Sequence, residues 1–169
     1  MTKQRNQNLR IAILTISDTR HLATDESGRY LKKAISTAKH VLADRNWVKD
    51  DIYQMRSVVS KWIADQKIDV IITTGGTGFA KRDITPEALS PLFDKSIDGF
   101  GDLFRKLTYN EIATSTIQSR CLAGISNNTL IFCLPGSTNA CKTAWEQILL
   151  FQLDVNNKPC NFVKHTVNT

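Results

Sequence analysis

The sequence predicts an α/β domain in which a largely parallel sheet carries helices on both faces. Three observations support this. Strand-like and helix-like blocks alternate along the chain. The apolar runs Ile11 to Ile16 and Ile68 to Thr74 are nearly continuous rather than alternating, as strands covered on both faces are. Polar or glycine-rich turns stand directly after those runs, where parallel strands deliver their loops. At 169 residues the chain reads as a single domain, with a core over about 9–155 and a polar tail over 156–169 that follows the surface. A domain of this size buries roughly 70% of the surface exposed when unfolded, so it needs neither disulfides nor a structural metal.

The elements follow in order. Ile11 to Ile16 is the first strand, ending at Ser17-Asp18. Asp25-Glu-Ser-Gly opens a helix through about Ala38, with Tyr30, Leu31, Ala34 and Ile35 on one face and Ser27 as a capping group. Val41 to Val48 is the second strand. Asp50 and Asp51 stand where an N-cap belongs, ahead of Ile52, Met55, Val58, Val59, Trp62 and Ile63 at helical spacing. The third strand, Ile68 to Thr74, is the most β-branched stretch and ends at Gly75-Gly76-Thr77-Gly78. Thr85-Pro86-Glu87 combines a cap, a first-turn proline and an acid that suits the helix dipole. A short helix is expected over Gly101 to Asn110. Arg120 to Ser126 and Thr129 to Leu134 read as strands joined by an Asn127-Asn128 turn, and Pro135-Gly136-Ser137 leads into a last amphipathic helix reaching Leu149.

Composition narrows the function. Lys and Arg outnumber Asp and Glu by 22 to 16, giving a net charge of +6. The basic residues fall in pairs, Lys32-Lys33, Lys81-Arg82 and Arg105-Lys106, with no aromatic run between them to stack bases. A phosphorylated small molecule or a solubilising surface explains the charge better than nucleic acid. Cys121, Cys133, Cys141 and Cys160 include no C-x-x-C pair, and no histidine lies at ligand spacing, which argues against zinc. Apolar surroundings mark the first three as buried thiols in a reducing compartment, so the cytoplasm is expected. Met1 to Arg10 is polar, without the apolar stretch of a signal peptide, and no run approaches the roughly 18 residues of a membrane span. His21, His40 and His165 read as surface or loop residues, and Trp62 and Trp145 as core.

Chemistry is expected at the carboxyl ends of the strands. Ser17-Asp18, Thr73-Thr74-Gly75-Gly76-Thr77-Gly78 and Pro135-Gly136-Ser137 all stand there. The glycine run reads either as a strand-ending turn or as a cradle whose backbone N–H groups converge on phosphate oxygens, with Thr73, Thr74 and Thr77 adding hydroxyls. It is not a Walker loop, because no Gly-Lys-[Ser/Thr] follows, and Lys81 replaces the third glycine of the dinucleotide fingerprint. Ser137 reads either as a plain N-cap or as part of a second anion site at a helix start. Asp83 lies on the polar loop after Gly78, and Asp50 starts a helix whose preceding strand points at the same crevice. Each has a plainer reading, Asp50 as a cap and Asp83 as a partner of Arg82. Together, beside phosphates, they are suited to hold Mg²⁺.

Four separated motifs then occur in order: Ile68 to Gly78, Arg82-Asp83-Ile84-Thr85-Pro86-Glu87-Ala88, Gly99-Phe100-Gly101 and Leu134-Pro135-Gly136-Ser137. Over about residues 9–163 the chain resembles the MoaB/Mog family of molybdenum-cofactor biosynthesis proteins, and Ala113 to Arg120 with Pro159-Cys160-Asn161-Phe162 resembles its MoaB branch. The resemblance implies a three-layer α/β/α fold with a mostly parallel central sheet, and a trimer or a hexamer of two trimers. It also implies adenylylation of molybdopterin from Mg-ATP, release of pyrophosphate, and transfer of the product to a molybdate-inserting protein. By motif position, Asp50 and Asp83 would be the catalytic acids and hold Mg²⁺. Thr74, Gly75, Gly76, Thr77 and Gly78 would bind phosphate, and Ser17, Asp18, Pro135, Gly136 and Ser137 would line the pocket. Where active members have Pro before the first acid, this chain has Lys49-Asp50-Asp51, so Asp50 and Asp51 compete for that role. The alternative is an oligomeric carrier that binds pterin or nucleotide without turnover.

Overall fold

Hydrophobic residues on both faces of the first and third strands force a sheet between two helical layers, and this is what forms. A computed structural model describes residues 8–166. Met1 to Gln7, which read as the polar start of the chain, and the last three residues of the tail lie outside them. The sheet has the order β2-β1-β3-β6-β5-β4, built from β1 (Arg10–Ile16), β2 (Val41–Val48), β3 (Val70–Thr74), β4 (Lys95–Ser96), β5 (Leu122–Ser126) and β6 (Thr129–Leu134). The first four in that order run parallel, and β5 is antiparallel to both β6 and β4. The β5–β6 hairpin closes through Asn127 and Asn128, both at positive φ (49° and 61°), as a two-residue turn that matches strand twist requires.

On one face, α1 (Glu26–Thr37), α4 (Asp98–Ile112) and α5 (Thr138–Ala144) cover Ile11, Ile13, Val70, Ile72, Leu130 and Phe132. On the other, α2 (Ile52–Ala64) and α3 (Thr85–Leu89) cover Ala12, Leu14, Ile71, Ile131 and Cys133. Successive residues of β1, β3 and β6 therefore feed opposite cores, which explains why these strands read as continuous apolar runs. Trp62 and Trp145 are buried, as are the thiols of Cys121, Cys133 and Cys141, while Cys160 is exposed. Among the described residues no helix is long and apolar enough to cross a membrane.

Several local expectations are corrected. Asp25, not Ser27, caps α1, its carboxylate accepting from the Gly28 amide at 2.8 Å. Thr85 caps nothing, because its hydroxyl donates to the Gly75 carbonyl at 2.8 Å and Ile84 occupies the cap position. Helix α4 is longer than the Gly101 to Asn110 segment, and β4 has no counterpart in the apolar pattern. The strand β5 starts at Leu122 rather than Arg120, whose guanidinium is drawn to the loop of Gly78 and Asp83. The chain after α5 continues through a π-helical turn, Trp145–Leu149. Within the tail Val163 is fully buried against the α1/α4/α5 core, so the tail does not simply follow the surface.

Candidate functional site

The parallel strands deliver their following loops to one edge of the sheet, and a cavity of about 650 Å³ opens there. Ser17, Asp18, Asp50, Thr74, Gly75, Gly76, Thr77, Gly78, Asp83, Pro135, Gly136 and Ser137 all line it. Thr73 does not. Alternation along β3 turns it to the opposite face, where it is buried opposite Cys133.

The glycine turn has a steric basis. Gly75 and Gly76 adopt φ of +115° and +68°, values that side chains resist, and a Cβ on Gly75 would strike the Ile16 carbonyl. On Gly76 it would strike the Thr85 hydroxyl and come within 3.1 Å of Asp50 Oδ1. The Gly75 amide donates to the Leu134 carbonyl at 3.0 Å and Thr85 returns its own amide to the Gly76 carbonyl at 2.9 Å. No described residue accepts from the amides of Gly76, Thr77 or Gly78, so these donors remain for an anion. Gly136 lies against this turn, its Cβ position 3.3 Å from the Gly75 Cα, and Ser137 caps α5 by accepting from the Ala140 amide at 3.2 Å.

The carboxylates occupy the β1 and β2 side. Asp51 caps α2, accepting from the Gln54 amide at 2.8 Å, which leaves Asp50 to the cavity. The Asp50 amide donates to Asp18 Oδ1 at 3.3 Å, and Asp18 Oδ2 pairs with Arg82 Nε at 2.7 Å. Arg82 therefore engages Asp18 rather than its neighbour Asp83, whose carboxylate accepts from the Ala80 amide at 2.9 Å. Burial raises the Asp50 pKa, and the negative charges of Asp18 and Asp83 raise it further, against the opposing effect of Arg82. Asp50 thus faces two acids, Asp18 and Asp83, against the one guanidinium of Arg82.

The sequence pattern did not mark several residues that hold this arrangement. Arg120 grips both ends of the Asp83 loop, donating to the Gly78 carbonyl at 2.9 Å and the Asp83 carbonyl at 2.7 Å while pairing with Glu87. Asp25 is fully buried beneath the turn, accepting from Thr15, from Ser27 at 3.0 Å and from Arg45 at 3.1 Å. Burial opposes its charge, yet these donors outweigh burial and lower its pKa. Arg20, next to Ser17-Asp18, reaches toward the Gly136 carbonyl at 3.5 Å. Arg20 had a signal in its place in a strand-end loop, and Asp25 had one as the start of a helix. Of the histidines, His21 and His165 are exposed, whereas His40 is half-buried and its Nδ1 accepts from the Leu9 amide at 3.2 Å.

The family described as "Probable molybdopterin binding domain" matches residues 12–155. The chain belongs to this family. Among curated relatives of this molybdopterin-binding-domain chain, Molybdenum cofactor biosynthesis protein B of Escherichia coli (strain K12) is 51% identical over 156 residues, 92% of each chain. The protein of that name from Staphylococcus aureus is 44% identical over 152 residues, covering 88% of this chain and 90% of that one. A crystal structure of a Molybdenum cofactor biosynthesis protein B superimposes with a TM-score of 0.86 at 40% identity, covering 89% of this chain and 94% of the other. The tungsten cofactor synthesizing protein MoaB from Pyrococcus furiosus gives 0.74 at 34% identity, with coverage of 85% and 91%. The fold is thus that of the MoaB/Mog group.

Proposed function

We propose that this protein acts in molybdenum cofactor biosynthesis as a molybdopterin adenylyltransferase that uses Mg-ATP. The observation that carries the reading is the meeting of Asp50, Asp18 and Asp83 with the unpaired amides of Gly76, Thr77 and Gly78 in one cavity. The terminal phosphate of molybdopterin is already ionised, so no general base is needed. One of its oxygens bonds to the α-phosphorus of ATP while the bond from that phosphorus to the β-bridging oxygen breaks, and the electron pair leaves on pyrophosphate. The amides of the glycine turn hold phosphoryl oxygens for in-line attack, and Gly136 and Ser137 confine the second phosphate.

The donor set fits a divalent cation. Asp50 carries a carboxylate that burial and its acidic neighbours destabilise. Among the described residues no group of three or more His, Cys, Asp or Glu side chains is placed to hold a metal ion; Mg²⁺ takes one or two carboxylates and completes its shell with phosphate and water. Asp50 and Asp83 would hold it. When bound, Mg²⁺ neutralises charge on the phosphates and on departing pyrophosphate. A trimer or hexamer that passes adenylylated pterin to a molybdate-inserting protein completes the reading.

The test follows pyrophosphate with purified protein, molybdopterin and Mg-ATP. Release is expected, and Asp83→Asn should cut turnover by about 100-fold with pterin affinity nearly intact, the scale at which a lost electrostatic stabiliser acts. Binding without release would favour a non-catalytic carrier, and equal loss of binding and turnover would remove Asp83 from the chemistry.

A further inference from the structure

The cavity crosses the sheet in strand order, from Asp50 after β2 and Asp18 after β1, past the β3 and β6 turns, to the end of α4. Its two ends differ in chemistry. The acidic end and the glycine turn suit phosphates. At the other end Phe104, Ile112 and Ala140 offer apolar walls, and Glu111 is the acid among them. Glu111 Oε2 accepts from Asn139 Nδ2 at 3.0 Å and Oε1 accepts from Thr143 Oγ1 at 2.7 Å. Both partners are neutral, and among the described residues no lysine or arginine pairs with this carboxylate. A carboxylate offers about four lone-pair sites. Two are engaged, one on each oxygen, so the group is fixed in orientation with one acceptor site per oxygen left over.

Such a carboxylate is built for a flat partner that presents two parallel N–H donors. The 2-amino-4-oxopyrimidine edge of a pterin does so through its ring N3–H and its 2-amino group. Adenine does not, because its amino group sits beside a ring nitrogen whose lone pair would face the carboxylate. We propose that Glu111 recognises this edge and makes the α4 end of the cavity the pterin subsite, excluding the adenine ring from it. The inference rests on the functional reading above for its choice of a pterin over guanine, which carries the same edge. A site made to pair two N–H groups discriminates strongly against analogues that lack one, since a polar group is then left unpaired.

The experiment measures affinity by calorimetry, without ATP, for neopterin monophosphate, the matching 2-oxo lumazine phosphate, GMP and AMP. The wild-type protein should bind the pterin at least tenfold more tightly than the lumazine or AMP. Glu111→Gln, which replaces one acceptor oxygen with a donor, should abolish that preference while leaving ATP affinity and the melting temperature close to wild type. Thr143→Val keeps the charge and loosens its aim, and should produce a smaller loss in the same direction. Unchanged pterin preference in Glu111→Gln, no pterin binding by the wild type, or equal loss for pterin and ATP would overturn the inference. GMP binding that depends on Glu111 without pterin binding would overturn the choice of pterin. Because no turnover is measured, absent pyrophosphate release would defeat the transferase reading and leave this one standing.

Discussion

Thr74 illustrates how a single side chain ties together the turns that line the cavity. It is buried at the end of β3, and its Oγ1 lies 3.0 Å from the Pro135 carbonyl, 3.2 Å from Ser27 Oγ and 3.4 Å from Cys141 Sγ. The β3 turn, the β6 turn and the start of α1 are thereby tied at one point. Its hydroxyl is engaged inside the protein, so it holds these elements at a fixed spacing. Thr74→Val keeps the shape and removes the tie, leaving the polar partners poorly satisfied in a buried place. A loss of about 1 kcal/mol is expected, which is roughly 2–4 °C in melting temperature for a domain of this size. A melting temperature equal to wild type would mean that the three elements hold their spacing without it. The strand-end position of Thr74 is visible in the sequence, but its inward hydroxyl is not, because its partners lie 47, 61 and 67 residues away.

At the scale of elements, the glycine turn and helix α4 make opposite demands on the same residue type. Gly75→Ala would combine an unfavourable φ with a clash against the Ile16 backbone, and several kcal/mol of destabilisation are expected. Gly99, in the first turn of α4, has nothing within 4 Å of a Cβ. Alanine there should stabilise by about 0.4–1 kcal/mol through the unfolded state. Chemical denaturation of the two variants tests the contrast, and a Gly75→Ala protein as stable as wild type would show that the turn can be rebuilt. Elements with strong local signals were legible from the sequence: the apolar runs of β1, β3 and β6, the Asn127-Asn128 turn and the polar strand ends. The two-residue β4 has exposed side chains and no periodicity to read. Glu111 and Arg120 escaped for a related reason. One closes a helix and the other precedes a strand, and only the packing of α4 on α5 and of β5 beside the Asp83 loop brings them to the cavity.

For the whole molecule, buried titratable groups set the pH range of stability. Burial lowers the His40 pKa below 6.5, with Asp154 opposing, so just below that pH the unfolded chain binds more protons than the folded one and stability falls as pH falls. The folded state also needs neutral His40, because protonating Nδ1 would cost the bond from the Leu9 amide. Asp25 and Glu87, both held below the ordinary carboxyl range, add a second loss below about pH 4. Asp50 works the other way. Its raised pKa means that the folded protein takes up that proton first, which partly offsets the second loss. On the alkaline side burial pushes Cys133 and Cys141 up to about 12 and Cys121 up to about 11, from an ordinary 9.0. Above about pH 9 the unfolded chain therefore releases thiol protons that the folded one retains, and stability falls again. A plateau between about pH 6.5 and 9 is expected in melting temperature. In His40→Asn the first acid step should vanish while the step near pH 4 remains. A wild-type melting temperature that stays flat from pH 7 to 5 would show that His40 has no part in it.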